Sequence, residues 1–310
     1  MLISRLLETL MDLTRPTGSR WLEYGLLVLA AGTTANSLMG PLGTGTIAYH
    51  YSETLVNQGI GLDAVALIAS VPMAVFAAVL LFRAHPAGAV VALVPATFSA
   101  YMIPQYVVGP DYLHLPGNNE QFFLFHVSMF VLAVVLAIGA WVQIDGDTLR
   151  PDSVRADRMR SWVMFGVAAF ILFGRWLPAI VELSRGRPRS VDFVENPTAY
   201  LLIGILDLGL VVPAAVAAGV GLWGGAAWGR KAGYAVMGWF ALVPAAVAAM
   251  AITMQLRGDP NAETATTVLF VVAASVFTFG AGLLYRPMFT SQSLVATGEV
   301  KRSEVVRGTF

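Results

Sequence analysis

The chain has 310 residues, 57% of them hydrophobic and only 12% charged, with a formal net charge of zero. A soluble globular chain carries about 25% charged residues, so this composition argues against a soluble enzyme, and the lack of a basic surplus argues against a nucleic-acid partner. Cysteine is absent, which excludes disulfides, thiolate metal sites and cysteine nucleophiles.

Residues 1–20 place Leu2, Ile3, Leu6, Leu7, Leu10 and Leu13 on one helical face, interrupted by Arg5, Glu8 and Asp12 and ended by Pro16. This spacing reads either as an amphipathic cytoplasmic segment lying on the membrane surface or as an extension of the first span. Crossing a bilayer core of about 30 Å takes about 20 helical residues. Blocks of that scale fall at 21–44, 61–82, 88–108, 121–143, 161–183, 199–223, 232–256 and 265–286. Stretches such as 129–140 are apolar on every side, whereas a transmembrane β-barrel alternates apolar and polar residues. The predicted fold is therefore all-α, a polytopic transmembrane helical bundle of about eight spans in the cell membrane.

Lysine and arginine set the expected orientation. Fourteen of them, among them Arg83, Arg160, Arg230 and Arg286, fall in one set of loops and ends. Only Arg185, Arg187, Arg189 and Arg257 fall in the other, with Arg175 inside a span. Both termini are expected to be cytoplasmic.

The two halves look alike. WLEYG at 21–25 resembles WVMFG at 162–166, and IGLDAVA at 60–66 resembles GILDLGL at 204–210. Four spans per half is an even number, which predicts a parallel tandem repeat. The expected organisation is a cytoplasmic segment at 1–20, a first four-helix repeat at 21–143, a charged linker at 144–160, a second repeat at 161–286 and a cytoplasmic tail at 287–310. Gln58, Gly61 and Asp63 leading to Pro72, then Tyr101, Tyr106, Gly109 and Tyr112, mark the first half. Arg175-Trp176, Asn196-Pro197 and Leu206-Asp207 leading to Pro213 mark the second. On these residues the chain resembles a family of multi-span bacterial and archaeal membrane proteins with a 4+4 helix repeat. The resemblance implies a fold and no activity.

Ionisable groups inside spans are costly and ask for a reason. Arg175 and Asp207 sit at matched depths in consecutive spans, so they are expected to pair, either as a packing device or as a ligand site. Asp63 opens the second predicted span, where a helix cap is the simpler reading. Asn36, Gln105, Tyr106, His126 and Glu182 lie toward the non-cytoplasmic ends of their spans. Together these eight residues suggest a polar cavity open to the outside; the plainer alternative is that span ends are wet. The histidines offer no haem pair, and no close metal-ligand spacing such as HExxH occurs. No cofactor is expected. P-loop, nucleophile-elbow and dinucleotide motifs are absent as well.

Two function classes follow. One is a transporter or a binder of a small molecule or lipid, with membrane lipids around it. The other is an accessory subunit packed on a membrane-protein partner. A membrane-embedded enzyme is a third reading, because no nucleophile–base pair can be named.

Overall fold

The computed structural model describes residues 20–149, 153–186 and 188–290. The amphipathic segment before residue 20, Arg187 and the tail beyond residue 290 lie outside these. Eight long helices run through the described residues: α1 (Trp21–Met39), α2 (Glu53–Phe82), α3 (Ala87–Val108), α4 (Phe123–Gln143), α5 (Val154–Ser184), α6 (Pro197–Trp223), α7 (Ala227–Leu256) and α8 (Thr264–Tyr285). No strand occurs among the described residues. Seven helices, α2 to α8, are long and apolar enough to cross a membrane. Helix α1 is not among them; Glu23, Tyr24, Thr33, Thr34 and Asn36 interrupt its apolar run.

Helices α2 and α5 start seven or eight residues earlier than their apolar blocks suggest. Helix α2 begins at Glu53, where the Ser52 hydroxyl accepts from the Leu55 amide at 3.3 Å. Residues 53–60 contain no proline, and the serine satisfies an otherwise unpaired helix-end donor. Asp63 is therefore well inside the helix and is not its cap. Helix α5 begins at Val154, within the expected linker, with Ser153 accepting from the Ala156 amide at 3.3 Å.

Three helices widen into π turns: Ala66–Ser70 in α2, Phe170–Trp176 in α5 and Asp207–Val211 in α6. Each ends two residues before a proline, namely Pro72, Pro178 and Pro213. A proline ring clashes with the carbonyl four residues back and supplies no amide. In all three cases that carbonyl belongs to the π turn, and the wider turn accommodates the ring.

Helix α3 is the most enclosed of the seven, with 72% of its most apolar stretch buried, against 6% for α8. One apolar core lies among α1, α2, α3 and α4, around Leu26, Ala77, Ala92 and Leu136. A second joins α2, α3, α5, α6 and α7 around Phe98, Ile171, Ala215 and Trp239. Helices α2 and α7 approach at Gly61, where any Cβ would run into the Ala249 carbonyl.

The connections 40–52, 109–118, 185–196 and 257–263 gather at one end of the bundle. Hydrogen bonds tie them together across the halves. Asp259 accepts from Asn57 at 2.8 Å and from the Thr54 hydroxyl at 3.3 Å, and Asn196 donates to the Ser52 hydroxyl at 2.7 Å. The opposite end carries the short turns 83–86 and 224–226 and the residues 144–149 that follow α4.

Candidate functional site

Two buried carboxylates organise the polar residues, one on each side of α3. Asp63 is fully buried. Its Oδ1 accepts from the Tyr106 hydroxyl at 2.9 Å and the Ser37 hydroxyl at 3.4 Å. Its Oδ2 has no hydrogen-bond partner among the described residues. Beside it, Asn36 Oδ1 accepts from the Tyr49 hydroxyl at 3.2 Å and faces His126 Nε2 at 2.9 Å. A carboxamide oxygen only accepts, so that ring nitrogen donates. Tyr106 stacks on Tyr49 with ring centres 4.9 Å apart. Asn36, Asp63, Tyr106 and His126 line one small cavity of about 30 Å³, roughly the scale of one or two waters.

The second carboxylate is held between two π turns. Asp207 opens the π turn of α6 and faces the π turn of α5, which carries Arg175 and Trp176. The Tyr101 hydroxyl donates to Asp207 Oδ1 at 2.6 Å, and the Trp176 indole nitrogen donates to Oδ2 at 2.8 Å. Arg175 Nε stands 3.4 Å from the same Oδ2. The two charged side chains differ in exposure, 10% for Asp207 and 43% for Arg175. The guanidinium also lies over the Trp176 ring, 5.4 Å from its centre.

The remaining sequence candidates lie apart from these clusters. Gln105 turns back on its own helix, donating to the Tyr101 carbonyl at 3.2 Å. Glu182 accepts from the Arg189 amide at 3.0 Å on the exposed loop after α5. The eight residues thus divide into two clusters and two separate side chains and do not line one cavity. Among the described residues no three histidine or acidic side chains gather as metal ligands.

Ser37 stands in the sequence beside Asn36 among the outer polar groups, whereas Tyr49 and the buried pair Arg230–Asp157 carry no sequence signal of a site. Tyr49 precedes an expected span, and its hydroxyl reaches Asn36 only because the loop 40–52 folds inward. Arg230 and Asp157 read in sequence as ordinary loop charges.

Outside the helices, burial pushes the Tyr49 phenol well above its ordinary value, and Asp63 adds to this. Burial works to lower the His50 pKa, but the Leu115 carbonyl and Glu120 at 2.9 Å outweigh it and hold the imidazole above its usual range. His114 beside Asp111 holds that half-buried carboxyl below its usual range.

Seven long apolar helices are compatible with an integral membrane protein and suggest a multi-pass one. No protein-family model, curated protein or solved structure matches the chain.

Proposed function

We propose that the chain is an eight-span membrane protein that binds, and carries across the membrane, a small anion of the carboxylate or phosphate class at Arg175. The observation that carries this reading is the division of labour around Asp207. Tyr101 and Trp176 already donate to both of its oxygens. The arginine is therefore not the carboxylate's sole support, and it keeps most of its five donors for another partner. A half-exposed arginine deep in a span is costly against lipid and belongs where a water-filled cavity reaches it. Paired π turns near prolines fit a site built to shift, since such turns recur at functional sites.

Charge supports the orientation. Arg83, Arg155, Arg158, Arg160, Arg230, Lys231 and Arg286 lie at the end with the short turns, and Arg185, Arg189 and Arg257 at the other. The first end is then cytoplasmic, both termini share it, and the Arg175 cluster lies nearer the outer face. A parallel repeat is supported by a common interval of 141 residues. It separates Trp21 from Trp162, Pro72 from Pro213, the π-turn starts Ala66 and Asp207, and the helix starts Phe123 and Thr264. In this register Asp63 stands opposite Gly204, so the two carboxylates are not equivalent residues.

The test is uptake of labelled small carboxylates and phosphate into vesicles holding the purified protein. Saturable uptake that falls in Arg175→Gln and partly returns in Arg175→Lys is expected. Lack of uptake, together with lack of anion-dependent thermal stabilisation, would refute the proposal. One observation favours an accessory role instead: α8 exposes Val268, Leu269, Val272, Val276 and Phe279. A stoichiometric partner crosslinked through α8 in native membranes would support that reading.

A further inference from the structure

At the short-turn end, away from the Arg175 cluster, a cleft of about 300 Å³ lies between α5, α7 and α8. Its polar groups collect at the bundle end. Arg230, only 4% exposed, donates from Nε to Asp157 at 3.0 Å and from Nη2 to the Gly225 carbonyl at 2.7 Å. Its Nη1 stands 3.7 Å from Asp147 and has no hydrogen-bond partner among the described residues. Arg160 Nη1 is 3.7 Å from Asp157 and likewise lacks one. Both arginines line the cleft, whereas Asp157 and Asp147 do not. Each guanidinium thus holds a buried Nη1 beside a carboxylate but beyond hydrogen-bonding distance of it.

Deeper in, the walls are apolar: Met164 from α5, Met237 from α7, and Gly280 and Leu283 from α8. From Arg230 to Met237 the helix rises by roughly 10 Å. Charge near the membrane surface and hydrocarbon below it is the order of groups in a phospholipid.

The first half shows why the cleft exists. In the register proposed above, Trp21 corresponds to Trp162 and Gly139 to Gly280. The Trp21 indole packs on Gly139, closing α1 against α4. Trp162 instead is 64% exposed and packs on Phe165 and Trp223. At Gly280 a Cβ would meet only the tip of Met237. The slot filled by tryptophan in one half stays open in the other, beside two arginines.

We infer that this cleft binds an anionic phospholipid, with its phosphate on Arg160 and Arg230 and an acyl chain running toward Gly280. The site does not depend on the anion-carrier reading, and its test reads lipid rather than transport. Purified full-length protein in detergent is titrated with phosphatidylglycerol or phosphatidylcholine, reading the unfolding temperature and the lipid retained in native mass spectrometry. Phosphatidylglycerol should stabilise more and be retained. Arg160→Gln should weaken its apparent affinity about fivefold, the effect of one basic contact at a membrane surface. Gly280→Phe, which fills the slot, should abolish retention. Equal stabilisation by both lipids would overturn the inference, as would full phosphatidylglycerol preference in Arg160→Gln or retention in a folded Gly280→Phe. Inorganic phosphate reproducing the effect would assign the arginines to a free anion, and a dimer dissolved by Gly280→Phe would assign the cleft to a second copy. Either result overturns the lipid.

Discussion

Tyr101 and Tyr106 stand five residues apart on α3 and donate to different carboxylates, Asp207 and Asp63. Five residues turn a helix by about 140°. One enclosed helix therefore sends a hydroxyl to each side, and each buried acid takes one hydrogen bond from α3.

The Asp207 cluster predicts unequal costs for its members. Arg175→Leu leaves the carboxylate its two neutral donors and removes a half-exposed partner, so the loss should be about 1 kcal/mol or less. Asp207→Leu strands the Tyr101 hydroxyl and the Trp176 indole, each an orphan worth about 1–3 kcal/mol. Denaturation of both variants in detergent checks this. Equal losses would mean that the arginine is the main support.

Gly61 predicts a steric effect. In Gly61→Ala the new methyl meets the α7 backbone at Ala249 and Met250, which cannot rotate aside as a side chain can. Overpacking of this kind costs about 1–3 kcal/mol. Gly59→Ala, where nothing stands within 4 Å, is the control, and thermal unfolding of the two should separate them.

His50 predicts a pH dependence. Its folded pKa is raised above the ordinary imidazole value, so the folded state holds its proton more tightly than the unfolded state does. That stability is present in full below the unfolded pKa of about 6.5 and is lost as pH rises through the folded pKa. The unfolding temperature should fall as pH rises through this window, and less so in His50→Gln. A parent as flat as the variant would count against the Glu120 and Leu115 contacts.

Reporter fusions at residues 114 and 150 test the orientation. The proposed topology puts the first outside and the second inside. Finding both on one side would remove the eight-span arrangement.

Much of this architecture is legible in the chain because hydrocarbon demands unbroken apolar helices, and eight such blocks stand out. The start of α2 is not, because Glu53, Asn57 and Gln58 read as loop residues. They become helical against Asp259 and Asp192, partners more than a hundred residues away. Arg175 and Asp207 are conspicuous as charges within apolar runs. Which neutral groups meet Asp207 depends on the phase of α3 and on two π turns, and neither follows from hydropathy. Arg230 and Asp157 are hidden for the opposite reason: near a helix end, a charge looks like any surface charge until a neighbouring helix covers it.

The order of the Asp207 cluster along the chain bears on how the protein is made. In the proposed topology helix α5 leaves the ribosome before α6, so Arg175 would reach the membrane before Asp207 exists. A lone arginine at the very centre of an inserting helix costs about 2.5–3.5 kcal/mol, an upper bound for Arg175, and Trp176 offers it a ring face but no counter-charge. Insertion of α5 and α6 as one hairpin, completed when Asp207 emerges, avoids that unpaired interval. The connection 185–196 then times the arrival of the carboxylate, and lengthening it should lower the yield of inserted protein before it alters the finished fold.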